Sequence, residues 1–232
     1  FNLPSLSADW TSAVGTWSVN TNTLEQSDEL NANTNIYAAV SQTLANRYLY
    51  TFKGTINGTG SNRRAGIYIM CDDPTQTDRG NNYFIWIRPD DSKIQLYKTT
   101  TNTLTLVSDI VYSISVGTTY DYKISYDRIT GELKLWVNNS FVASWTDVAP
   151  FSSGSAVSFR SGNSKFSIDD FAIYRSRSTS ASILVGSGNT NDIRYQNPNP
   201  AQNSAKVKSI VTDLANNISS VATDNINVDW SI

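Results

Sequence analysis

Apolar and polar residues alternate with period two along much of the chain, the pattern of strands that bury one face. In YFIWIRPDDSKIQLYK, residues 83–98, the alternation runs through a turn of Pro89, Asp90, Asp91 and Ser92, all residue types that suit turns. Closing a hairpin on those four sets Ile87 opposite Ile94, Ile85 opposite Leu96, Trp86 opposite Gln95 and Arg88 opposite Lys93. One face then carries Tyr83, Ile85, Ile87, Ile94 and Leu96, and belongs to a core. The reverse carries Phe84, Trp86, Arg88, Lys93, Gln95 and Tyr97, large aromatics set among cations and an amide. A second hairpin repeats the rule. In TYDYKISYDRITGELKLWVN, Tyr126 meets Leu133, Ile124 meets Leu135 and Tyr122 meets Val137, while Lys123, Ser125, Lys134 and Trp136 take the reverse face. A slip of one residue would bury Lys123 and Lys134, so the register is well specified.

Similar runs recur from NIYAAVSQT through RYLYTFKGTI, GIYIMCD, LTLVSDIVYSI, FVASW and AVSFRS to FSIDDFAIYR. Between them stand turn signals such as NGTGSN at 57–62, DRITGE at 127–132 and VNNS at 137–140. No helical periodicity is sustained. Many short strands at this spacing predict an all-β, antiparallel sandwich. In GIYIMCD the alternation turns Ile67, Ile69 and Cys71 inward, and Tyr68 and Met70 outward. After residue 176 the texture changes. Residues 177–182 read as a polar linker, and 183–232 as a small β-unit of about four strands, with NPNPAQNS at 197–204 as a loop because its prolines resist regular structure.

Composition narrows the function classes. The 18 Lys and Arg against 20 Asp and Glu give a net charge of −2, which argues against a nucleic-acid partner. No apolar run approaches the roughly 18 residues that span a membrane. The start, FNLPSLSADW, has no basic-then-apolar leader. Histidine is absent and Cys71 is the one cysteine, so His-dependent nucleophiles, imidazole metal sites and an internal disulfide are excluded. Cys71 reads as a small buried apolar residue. A chain rich in Thr, Asn, Tyr and Trp but poor in Cys and His fits a bacterial protein that is secreted or held at the cell surface.

NNYFIWIRPDDSKIQLYK, GTTYDYKISYDRITGELKLWVNNSFVASWTD and FSIDDFAIYR together resemble the concanavalin A-like lectin/glucanase superfamily, in particular its laminin-G-like bacterial members. The carriers are Gly117, Tyr120, Lys123, Ile124, Gly131, Leu133, Leu135, Trp136, Val137, Asn138, Ile168, Asp169, Asp170 and Phe171. The tail, VTDLANNISSVATDNINVDW, is similar to small Ig-like modules of surface proteins. The resemblance covers residues 1–176 and implies a jelly roll of two curved antiparallel sheets, in a family whose members bind or hydrolyse glycans. Its hydrolases set two carboxylates on one strand face, near the ~5 Å that retention needs. The nearest match here, EQSDE at 25–29, places Glu25 and Asp28 at opposite strand parity. The expectation is therefore a non-catalytic module that binds a glycan or polysaccharide. The alternative is a structural spacer that binds protein or positions other domains of a larger chain.

The predicted ligand-binding residues are Tyr68, Trp86, Arg88, Gln95 and Tyr97. Aromatic faces stack on sugar C–H surfaces, and Arg and Gln donate to hydroxyls. If the strand of Trp136 and Lys134 lies in the same sheet, those two extend the platform. The bland alternative is a set of aromatics covered by loops or by the C-terminal unit. If the rings stand in water, Trp86→Ala weakens glycan binding with little loss of melting temperature. No cofactor is expected beyond a structural calcium ion. The resemblance would place it at Asp169 or Asp170, and CDDPTQTD at 71–78 is a second cluster of oxygen ligands. Solvated or capping aspartates are the ordinary alternative. Arg63 and Arg64 read as a solvated strand end, with an acidic sugar as the less ordinary reading.

Overall fold

A computed structural model describes residues 5–176 in full, and the backbone alone of Gln202–Ser209 and Ala222–Val228. The chain divides into two compact units, residues 1–181 and 182–232. In chain order the strands of the first are β1 (Trp10–Val14), β2 (Trp17–Asn20), β3 (Thr23–Gln26), β4 (Asn35–Ala39), β5 (Arg47–Asn57), β6 (Arg64–Cys71) and β7 (Asn82–Arg88). There follow β8 (Lys93–Thr100), β9 (Thr103–Val111), β10 (Thr119–Asp127), β11 (Glu132–Val137), β12 (Ser140–Thr146), β13 (Ala156–Gly162) and β14 (Lys165–Arg175).

They form two antiparallel seven-stranded sheets. The first runs β1-β4-β13-β6-β7-β8-β9 and the second β12-β11-β10-β5-β14-β3-β2. This is a jelly-roll sandwich, and both predicted hairpins close in the expected register, Trp86 opposite Gln95 and Ile124 opposite Leu135. The turns explain why. A short 3-10 turn at Pro89–Asp91 ends on Ser92 in the left-handed region, with φ 52°. Asn138 and Asn139 both hold positive φ between β11 and β12, the geometry of a two-residue hairpin turn whose twist matches its strands.

The core lies between the sheets. Ile36, Val157, Phe159, Ile67, Ile85, Ile87, Ile94 and Leu96 face Tyr50, Phe52, Tyr122, Ile124, Leu133, Leu135, Phe166 and Ile168 in one buried cluster. Gly54 makes room for the rings of Phe52, Phe166 and Tyr122, which stand 3.1–3.2 Å from where its Cβ would be. At one end a polar group is buried as well. The Tyr83 hydroxyl donates to Asp147 at 2.7 Å, and Lys98 pairs with the same carboxylate at 2.6 Å.

At four places the structure departs from, or goes beyond, the sequence reading. Met70 points into the core and Cys71 out of it. A bulge sets Ile69 and Met70 against the single Val157, and Met70 takes φ 58°, which inverts the parity beyond it. Trp136 and Lys134 lie on β11 in the second sheet, so they do not extend the face that holds Trp86. Strands β1, β2 and β3 were not evident in the sequence, being only four or five residues long with few buried positions. In the C-terminal unit, strands Gln202–Ser209 (β15) and Ala222–Val228 (β16) pair antiparallel, so the predicted loop at 197–204 gives way to strand at Gln202. The predicted linker and the other tail strands lie outside the described residues. Among the described residues no helix is long and apolar enough to cross a membrane.

Candidate ligand-binding face

The pleat puts Tyr68, Trp86, Arg88, Gln95 and Tyr97 on one side of the first sheet, the side turned away from the core. The ladder sets Tyr68 opposite Phe84 and Phe84 opposite Tyr97, with Gly66 and Gln95 flanking Trp86. Their exposure differs from expectation. Tyr68 is fully buried, Phe84 is 1% exposed and Trp86 only 5%, while Tyr97 and Arg88 are half-buried. The rings form a second apolar cluster, outside the sandwich, with Cys71 and Ala156. Tyr68 and Phe84 stack with centroids 3.8 Å apart, and Phe84 meets Trp86 at 4.7 Å.

Guanidinium groups cover these rings. Arg160, from β13, lies 4.9 Å over Trp86 and 5.7 Å over Phe84. Arg64, from β6, lies 5.7 Å over Trp86. Arg79, from the loop between β6 and β7, lies 4.7 Å over Tyr68. Each such contact is worth about 0.5–2 kcal/mol, more as water is removed. Gly66 shapes this layer. It lies between Arg160 on one neighbouring strand and Trp86 on the other. A Cβ there would sit 1.9 Å from the Ile85 carbonyl oxygen and 3.2 Å from the Phe84 ring. With no side chain between them, Arg160 reaches across to the indole.

Arg79 is itself buried, yet its needs are met without a carboxylate. It donates to the Ser158 hydroxyl at 3.2 Å, Asn33 Oδ1 at 2.9 Å and the Thr34 carbonyl at 2.6 Å, and also to the Thr77 carbonyl. The loop it belongs to is therefore clamped onto the sheet. Burial pulls its pKa down. Burial likewise pushes the Tyr68 phenol up, against the pull of Arg160, which accepts no proton but donates to the phenol oxygen at 2.9 Å. Cys71 is buried and its thiol pushed up, which makes it an inert packing residue.

A polar network continues toward β9. Gln95 Oε1 accepts from Tyr97 at 2.8 Å and from Arg88 at 3.1 Å, and Gln95 Nε2 donates to Asp109 at 3.0 Å. Lys93 pairs with Asp109 at 2.6 Å. That bond, then the one from Gln95, holds the Asp109 carboxyl below its usual range. Arg88 pairs with Asp91 at 2.5 Å and Arg160 with Asp78 at 3.5 Å. A general acid for glycoside cleavage needs a raised carboxyl pKa, and Asp109 is shifted the other way. The sequence pointed to Arg88, Gln95 and Tyr97. It gave no sign of Arg160, which approaches from a strand far along the chain.

The calcium candidates are engaged otherwise. Asp170 pairs with Lys53 at 2.7 Å. Asp72 accepts from the backbone and side-chain amides of Asn81 at 2.7 and 2.6 Å, and Asp73 from Thr75 and Gln76 at 2.6 and 2.8 Å. Among the described residues no group of three or more His, Cys, Asp or Glu gathers to hold a metal. Arg63 is not a free strand end, since it forks onto Asp90 at 2.7 and 3.1 Å.

No family model matches this sequence, and no curated protein matches it. Solved structures do match in shape. The carbohydrate-binding module CBM66 from Bacillus subtilis superposes with a TM-score of 0.61 at 14% identity, over 71% of this chain and 94% of that one. The Emp46p carbohydrate recognition domain, potassium-bound, gives 0.59 at 11% identity, over 72% and 88%. A protein of unknown function with a galectin-like fold from Bacillus subtilis gives 0.55 at 13%, over 72% and 89%. At such identities the likeness speaks to the backbone: this chain carries the two-sheet jelly roll that these structures share.

Proposed function

We propose that the jelly roll is a non-catalytic carbohydrate-binding module, and that its ligand meets the outer face of the first sheet. The observation that carries this is the guanidinium layer held over a floor of aromatic rings, with Gln95, Arg88 and Tyr97 joined beside it. Donors fixed in place lose little freedom on binding, and sugar hydroxyls are good acceptors for them. Trp86 and Tyr68 serve in this reading as the floor that positions the cations. Tyr97, half-buried at the edge, is the ring left for stacking. The fold is shared with proteins described as a carbohydrate-binding module and a carbohydrate recognition domain, which supports the choice of ligand class. A place outside a bacterial cell, secreted or on its surface, belongs to the same proposal and rests on composition.

One observation favours a second reading. The burial of Tyr68, Phe84 and Trp86 is also what a structural or protein-binding spacer would need, with rings that only consolidate a sheet. A glycan array followed by calorimetry on the 232-residue chain separates the two. The glycan reading expects at least one ligand retained, and weaker binding by Tyr97→Ala and by Arg88→Gln with the fold intact. Failure of the wild-type chain to retain any glycan would leave the spacer.

A further inference from the structure

We infer that the ligand of this face is an acidic glycan, its anionic group seated on Arg64, Arg88 and Arg160. The inference rests on the carbohydrate-binding reading and narrows it. Three guanidinium groups converge on one surface: Arg64 and Arg160 stand over the Trp86 ring, and Arg88 follows two residues along the same strand. Like charges brought together and partly desolvated repel, so a folded protein usually interleaves carboxylates. Elsewhere on this chain that is done. Arg47 has Asp127, Arg63 has Asp90 and Lys53 has Asp170, each at 2.7 Å.

Here the compensation is incomplete. Asp91 meets Arg88, Asp109 meets Lys93, and Asp78 reaches Arg160 only at 3.5 Å. Arg64 makes no ion pair among the described residues, and its one side-chain hydrogen bond goes to the neutral Asn62 at 3.0 Å. The Nε atoms of Arg64, Arg88 and Arg160 are all buried and lack a hydrogen-bond partner. Burial, then the fields of Arg88 and Arg160, pull the Arg64 pKa down and outweigh the opposing field of Asp91. The whole chain carries −2, so this local excess is not a general basic character.

A neutral sugar would supply acceptors but would leave the charge uncompensated. A carboxylate or sulfate borne on a sugar supplies both, and a planar guanidinium matches either through paired donors. Gly66 leaves the centre of the arginine group without a side chain, between Arg160 and Trp86.

The test uses the full chain on matched pairs of ligands: polygalacturonate and its methyl ester, sialyllactose and lactose, dextran sulfate and dextran. We expect at least one acidic member to bind about tenfold or more tightly than its neutral partner, as charge-assisted hydrogen bonds would give. Which pairs respond tells carboxylate from sulfate. Arg64→Gln should lose about that factor for the acidic ligand, and Arg64→Lys less, since it keeps the charge without the fork. Arg64 variants give up one side-chain hydrogen bond and the contact with Trp86, so they should melt somewhat below the wild type and stay folded; Arg88→Gln is the second variant. Lys53→Gln on the other sheet should change nothing. Absence of acidic preference in every pair, or equal losses for Arg64→Gln and Lys53→Gln, would overturn the inference. If neutral glycans are still bound in that case, the carbohydrate-binding reading survives alone. If no glycan of either kind is bound, both are lost.

Discussion

The outer faces of the two sheets obey one rule of alternation and end in opposite conditions. On the first sheet the outward rings are roofed by arginines and by a clamped loop, and Trp86 is almost out of reach of water. On the second, Lys53 meets Asp170 and Lys134 meets Glu132 along the surface. There Trp136 is half-buried and touches Phe141, which is 58% exposed, at 5.9 Å. Parity says which side of a sheet a residue takes. What lies above that side is decided by segments distant in sequence.

The largest expected effect sharpens that contrast. Trp86→Ala removes a floor on which Phe84, Arg64 and Arg160 rest, and should cost about 3–5 kcal/mol in urea unfolding. A melting temperature close to wild type, as a ring standing in water would give, would break the comparison. Next comes Gly66→Ala. Its methyl meets backbone that cannot rotate away, and overpacking of this kind costs about 1–3 kcal/mol.

Acid offers a third probe. Burial alone would raise the Asp147 carboxyl, but Lys98, the Ala149 amide and the Tyr83 hydroxyl outweigh it and hold it low. A carboxylate held low in the fold adds stability above its unfolded value, near pH 4. That part is lost as pH falls through the lower, folded value. Thermal melts should therefore hold from neutrality to about pH 4 and decline below it, and Asp147→Asn should flatten the decline. Asp109→Asn, at an exposed pair, should leave the acid limb as it is. The smallest effect is expected of Trp136→Ala on the open face, within about 1 kcal/mol. A loss as large as that of Trp86→Ala would show the two faces to be equally sealed.

Much of the sandwich was legible because alternation and turn chemistry are local. Residues 89–92 and Asn138-Asn139 fix their hairpins with no help from elsewhere, and the two core faces follow. The parity inversion at Met70 and Cys71 was not legible, because the bulge depends on β13 pairing with one residue fewer. The assignment of Trp136 to the second sheet depends on β10 pairing with β5, a choice that no short pattern records. The candidate face was half legible. Trp86, Arg88, Gln95 and Tyr97 stand together on one hairpin, whereas Arg160 and the buried Arg79 arrive through long-range topology. Arg64 was visible as a basic strand end, but that no carboxylate among the described residues pairs with it became apparent only beside Arg63, which has one.

The anchoring of Arg79 bears on how the domain assembles. Its guanidinium draws together Asn33 and Thr34 ahead of the two sheets' main hairpins, its own loop, and Ser158 near the domain's end. An emerging chain that stops short of residue 158 offers that cation Asn33, Thr34 and Thr77 but not the Ser158 hydroxyl, so seating it early would leave its Nε without a partner. The first sheet's outer face is therefore complete only once β13 has been made and supplies Ser158 and Arg160. Chains interrupted before β13 should leave Tyr68 and Phe84 open to solvent.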